Sequence, residues 1–218
     1  MAIKPTETAA TRNRSHTEQV ILDAAKAVLA EEGFSKFGVN AIARRAGCDK
    51  QLIYRYYGGI DGLVDAIGLD LADLFQELLA QPEGTRFETY PALIEQLLLS
   101  LVSAFRASDL LLRIAAWEVF DPSPVTARLA AARARALGQW VETRRGNLAS
   151  PVGIDVGATN AALIAAVQHL ALSAKAVGGF AGVALETDAD WERIRAVLRT
   201  LVRASYAAAP IPQDCTAP

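Results

Sequence analysis

Between Asp49 and Tyr57 the sequence DKQLIYRYY gathers side chains whose chemistry suits double-stranded DNA. Lys50 and Arg55 can donate to guanine O6 and N7, Gln51 can bond adenine through two hydrogen bonds, and Leu52 can meet a thymine methyl. The tyrosine hydroxyls and the cations also reach phosphates. Catalytic chemistry is not indicated elsewhere. His16 and His169 are the only histidines, and neither falls in a HEXXH, CXXC or other metal-ligand spacing. No GXSXG, Walker A or Rossmann glycine pattern occurs, and the carboxylates are scattered, so no catalytic residue, metal or cofactor is expected.

The donors need a scaffold that turns them outward together. Ile53 and Tyr57 lie four apart and can pack inward, leaving Lys50, Gln51, Tyr54 and Arg55 on or near the opposite surface of a short helix. Asp49 is a suitable N-cap for it. Before it, Val39, Ile42, Ala43 and Ala46 recur at helical spacing, and Gly47 permits the positive φ of a sharp turn. Two short helices meeting at Gly47 form a helix-turn-helix, although an ordinary αα-corner with a polar exterior has the same pattern. Ser15 to Glu18 have capping-box spacing ahead of a stripe of Ile21, Ala24, Ala25, Val28 and Leu29. That helix, with Phe34 and Phe37 after it, completes a three-helix domain. Residues 1–13 lack periodicity and are expected to form a mobile arm, in which Arg12 and the adjoining Arg14 either touch the DNA backbone or minor groove or are simply solvated.

From about residue 14 to 80, the helix ILDAAKAVLAEEGFSKFGV, the segment AIARRAGCDKQLIYRYY, a Gly-Gly link and a long apolar-striped helix together resemble TetR/AcrR-type transcriptional regulators. AIARRAG and LIYRYY occur at the family's offset, with Ala41 eleven residues before Leu52. The resemblance implies base-edge or nearby contacts for Asn40, Lys50, Gln51, Leu52, Tyr54 and Arg55, and a phosphate contact for Tyr56. Three positions depart from the family pattern. Gly38 stands where a capping Thr or Ser is common, Ile60 where a phosphate-binding Lys is frequent, and Tyr57 where Phe is usual. The hydroxyl of Tyr57 therefore needs a partner or solvent.

The chain's 218 residues, 52% hydrophobic but only 7% aromatic, favour close-packed helices built on Ala, Leu and Val. Residues 1–59 carry nine Lys/Arg against six Asp/Glu, a charge of +3, and the remainder thirteen against eighteen, −5, which together give the overall −2. The split concentrates cations where the helix-turn-helix lies. The fold class expected is all-α: an arm and DNA-binding domain over 1–59, a helical effector-binding and dimerisation domain over 60–207, and a disordered tail over 208–218. In the larger domain, Leu63, Val64, Ile67, Leu71, Leu74 and Leu78 mark one long helix that can transmit motion between the two domains. Further helices are expected over 91–105, 110–120, 125–145, 158–180 and 191–206. The last two are expected either to form a four-helix bundle with a second subunit, as the resemblance implies, or to close the monomer's own core.

Candidate walls for an effector pocket are Phe75, Phe105, Trp117, Phe120 and Trp140, with Glu118, Gln168 and His169 as polar anchors. A core Trp beside a paired Glu, and a satisfied polar pair at an interface, are the plainer readings of Trp117-Glu118 and Gln168-His169. Two cysteines make no disulfide framework, and Cys48 reads as a small packed residue rather than a redox switch. No signal segment and no uninterrupted apolar stretch of about 20 residues is evident, so a cytoplasmic protein is expected. The function expected from the resemblance is a one-component regulator, a repressor binding a palindromic operator as a homodimer and released by a small, apolar effector. The alternative is a helical small-molecule-binding protein or enzyme without sequence-specific DNA binding.

Overall fold

The computed structural model describes residues 9–82, 84–120 and 123–207, with side-chain surroundings from residue 15 onward. Among the described residues it is all-α apart from one short hairpin. The helices are α1 (Ala9–Glu32), α2 (Val39–Ala46), α3 (Lys50–Tyr57), α4 (Ile60–Leu78), α5 (Tyr90–Ala107), α6 (Asp109–Phe120), α7 (Pro124–Arg145), α8 (Val156–Val177) and α9 (Asp188–Ala207). A single 3-10 turn, Phe34–Lys36, follows α1.

Two compact units emerge, one drawn from Met1–Ala72 and Ala116–Arg133, the other from Asp73–Ala115 and Ala134–Pro218. In the first, the predicted α1 stripe is buried: Ile21, Ala25, Val28 and Leu29 are fully covered, as are Ile42 of α2, Ile53 of α3 and Leu63 and Ile67 of α4. Trp117 extends this core. Its ring meets Phe34 edge-on at 5.0 Å and lies close over Gly33.

In the second unit the core is built by Leu93, Ile94, Leu97, Leu98, Leu101 and Val102 of α5, Leu111, Leu112 and Ile114 of α6, Trp140 of α7, Val167 of α8 and Leu198 and Val202 of α9. Thr89 caps α5 by accepting from the Ala92 amide, and Pro91 lies in its first turn, where a missing N–H costs nothing. The buried Trp140 indole N–H donates to the Leu79 carbonyl at 2.9 Å, an aromatic with its polar handle satisfied.

Three expectations are corrected. α1 already runs at Ala9, so residues 9–13 are helical rather than an arm, and the Ser15–Glu18 spacing sits inside the helix instead of starting it. That spacing marks a start only when the preceding residues leave helical geometry, and Ala9-Ala10 are strong helix formers. Residues 1–8, the tail from 208 and the side chains of Arg12 and Arg14 lie outside the described residues. Phe75 of α4 and Leu79 just after it are buried while Leu74 and Leu78 are half-buried, because from Leu71 onward the inward face advances by steps of four.

The helix expected to reach Phe180 ends at Val177. Gly178 adopts the left-handed conformation (φ 74°), and Gly179–Phe180 pairs with Val183–Ala184 in a hairpin turned by Ala181 and Gly182, both at positive φ. By length and composition alone, α8 is apolar enough to cross a membrane, although it is not an uninterrupted apolar stretch. Asn160, Gln168 and His169 interrupt it.

Candidate nucleic-acid interface

The face that could read DNA is held from behind by a chain of specific contacts. α2 rests on α1 through Ile42 and Ala43, and the Arg45 guanidinium fixes the pair from the side with two 2.6 Å hydrogen bonds to Glu31. Gly47 ends α2 in the left-handed region (φ 64°), turning the chain toward Asp49. The Asp49 carboxylate then accepts from the Gln51 amide at 2.8 Å and starts α3. Inward, Ile53 is wholly buried and the Tyr57 hydroxyl donates to the Glu18 carbonyl at 2.7 Å, the partner that a Tyr at this position requires. Burial pushes the Tyr57 phenol above its ordinary pKa, so it remains a donor at neutral pH.

The far end of α3 is fixed as tightly. Gly58, left-handed at φ 73°, closes the helix through its amide to the Tyr54 carbonyl. The first turn of α4 then passes directly over the end of α3, and a Cβ at Gly62 would lie 1.8 Å from the Tyr57 carbonyl oxygen. Lys26 of α1 completes the frame with a 2.6 Å ion pair to Asp70 of α4 and one of 2.9 Å to Asp23.

On the outer side Asn40, Lys50, Gln51 and Arg55 are exposed, Tyr54 is 57% exposed, and Leu52 and Tyr56 are half-buried. The Arg55 guanidinium lies 5.8 Å from the centre of the Tyr56 ring. Asn40, Lys50 and Tyr54 converge on a concave recess of about 530 Å³ that is also lined by Ser35, Lys36 and Arg44. Gln51, Leu52, Arg55 and Tyr56 are not among its lining residues. Lys36 and Arg44 escaped the sequence reading, although Arg44 follows Asn40 by four on a helix and so shares its face. Lys36 had no such signal, since only the 3-10 turn brings it there.

Cys48 is half-buried beside this face. Burial and the neighbouring Asp49 raise its thiol pKa, which opposes thiolate reactivity.

The candidate effector residues divide between the two units. Trp117 and Glu118 belong to the first, where Trp117 packs on Phe34 and Glu118 pairs with Arg133 through both carboxylate oxygens. Phe120 stands 81% exposed at the end of α6. In the second unit Phe75, Phe105 and Trp140 are core side chains. Gln168 is half-buried, and His169 is exposed with its ring edge-on to Phe180 at 4.6 Å. Among the described residues no cluster of His, Cys, Asp and Glu could hold a metal ion.

Residues 21–67, which hold most of this frame and its outer face, match the model of bacterial regulatory proteins of the tetR family. No curated protein matches the chain. Several solved structures share its fold at low identity. GusR of Salmonella enterica is 16% identical with a TM-score of 0.60, over 92% of this chain and 98% of its own. A TetR-like transcriptional regulator from Rhodococcus sp. is 24% identical with a TM-score of 0.53, over 88% and 97%. The fatty acid degradation regulator FadR from Bacillus halodurans is 15% identical with a TM-score of 0.56, over 91% and 96%. Such identities establish the shared fold and nothing finer. The helix-turn-helix segment is thus similar to the tetR family of bacterial regulatory proteins, and the chain as a whole shares the fold of those solved regulators.

Proposed function

We propose that the protein is a cytoplasmic repressor that binds a palindromic operator as a homodimer and leaves it when a small molecule binds. The observation that carries this reading is the outer face of α3: Lys50, Gln51 and Arg55 exposed on a helix that is capped, closed and braced from behind. In the proposed complex these three and Asn40, Leu52 and Tyr54 contact base edges, while Tyr56 contacts a phosphate. Residues 1–59 serve DNA binding, and residues 60–207 serve effector binding and dimerisation.

The dimer reading is supported by apolar side chains that the single chain leaves exposed on α8 and α9. Only 17% of the best apolar window of α8 is buried, and Val197 and Leu201, four apart on α9, are 53% and 43% exposed. Two copies of this helix pair form a self-complementary four-helix bundle. The effector is proposed to be apolar, in keeping with a Leu- and Ala-rich second unit and with a relative of the same fold described as a regulator of fatty acid degradation. It acts by favouring a conformer whose two recognition helices no longer match successive major grooves, so DNA must weaken effector binding by the same factor.

The test is in vitro selection of genomic fragments on the purified protein, with footprinting and the mass of the complex. A short inverted repeat protected by a dimer is the expected outcome. Enrichment of no sequence, with only weak and salt-sensitive binding, would overturn it. On the selected site, Gln51→Ala and Arg55→Ala should each relax base preference by about 1–3 kcal/mol. Unchanged selectivity in both would show that α3 reads DNA through another face.

A further inference from the structure

We infer that the recess beside the recognition helix is a phosphate-backbone clamp in which Lys36 and Arg44 are the charged contacts. This rests on the DNA-binding reading and adds to it two residues that lie outside the recognition helix. The recess, about 530 Å³ in volume, is lined by Lys36 from the 3-10 turn, Arg44 from α2 and Lys50 from α3, together with Ser35, Asn40 and Tyr54. Three elements thus turn one cation each toward a common hollow.

The contrast with Arg45 is informative. Arg45, next in sequence to Arg44, is engaged by both carboxylate oxygens of Glu31 at 2.6 Å. Lys36, Arg44 and Lys50 are all exposed, and among the described residues none of them has an ion-pair partner. Like charges held around a concavity without a carboxylate repel one another in the free protein, and a polyanion relieves that repulsion. The Ser35 hydroxyl supplies a neutral donor to the same hollow, a kind of group that phosphate oxygens accept from, while Asn40 and Tyr54 border it from the reading face.

The site adjoins the reading face through Asn40, Lys50 and Tyr54, so a duplex lying along α3 brings its sugar-phosphate edge here. The occupant is therefore a backbone phosphodiester of the bound duplex, contacted without regard to sequence.

The experiment uses the full-length protein and two duplexes of equal length, a selected operator and a random sequence, with affinity measured across a salt series. Lys36→Ala and Arg44→Ala should each flatten the dependence of log affinity on log salt by about 1 for every phosphate no longer neutralised, equally on both duplexes. Their preference for operator over random duplex should stay that of the parent. Lys36→Arg and Arg44→Lys should keep the parent's slope, which separates the removal of charge from a disturbed fold.

An unchanged slope in the alanine variants overturns the clamp. So does a weakening confined to the operator, which would make these residues base readers, or one shared by the charge-preserving variants. If the parent protein does not distinguish the two duplexes, the proposed function fails, yet the slopes on either duplex still decide the clamp.

Discussion

Tyr206 donates to Asn160 Oδ1 at 2.6 Å, Asn160 Nδ2 donates to the Tyr90 hydroxyl at 3.0 Å, and the two tyrosine rings meet edge-on at 5.7 Å. Asn160 is thus the centre of a satisfied network. Burial and the nearby Tyr90 push the Tyr206 phenol up to about 12, against an unfolded value of about 10. The neutral phenol is the form the folded state favours, so this contribution to stability is complete below about pH 10 and is lost as pH rises toward 12. Titration of tyrosinate absorbance should show a step near pH 12 that Tyr206→Phe removes. A Tyr206 phenol that ionises near pH 10, with no later step for the substitution to remove, would contradict the buried network.

At the scale of elements, glycine decides whether two helices can approach. A side chain at Gly62 would drive into the Tyr57 carbonyl, which is backbone and cannot swing aside. Gly138 on α7 faces open space. The same substitution should therefore have opposite signs at the two sites. Gly62→Ala should cost about 1–3 kcal/mol by overpacking and weaken operator binding by moving α3, whereas Gly138→Ala should stabilise by about 0.5–1 kcal/mol through helix propensity. Thermal melting with operator titration reads both effects. Equal small shifts at the two positions would mean that α3 and α4 are not held as closely as the backbone indicates. The sequence showed a Gly-Gly link at 58–59 and the long helix after it, but nothing in the local spacing marks Gly62 as the point of close approach.

For the whole molecule the exposed apolar residues of α9 give the sharpest prediction. Replacing Val197 and Leu201 together by Glu should leave the monomer's helicity intact, since both side chains are largely outside its core. In the proposed dimer it should also halve the mass in solution and lower operator affinity steeply, because two half-sites are held cooperatively only when the recognition helices are linked. Light scattering with an operator titration is the check, and a variant that stays dimeric would place the subunit interface elsewhere. The candidate effector side chains point to the same level of organisation. Phe75, Phe105 and Trp140 have the burial of structural core, Trp117 and Glu118 serve the unit that contains the helix-turn-helix, and Phe120 is at the surface.

What the sequence determined by itself rested on local spacing. The apolar stripe of α1, the turn at Gly47, the cap at Asp49 and the inward Ile53 follow from helical periodicity and from backbone preferences that act within a few residues. For the same reason the outward set on α3 was legible: fixing Ile53 and Tyr57 inward leaves the rest little choice of direction. Tertiary structure alone decided which distant groups meet. It gave Tyr57 the Glu18 carbonyl, brought Lys36 beside Arg44, bound Arg45 to Glu31 and placed Trp117 on Phe34. Composition and periodicity say that a residue is apolar, charged or on a given helix face, but they carry no information about which other face will be folded against it.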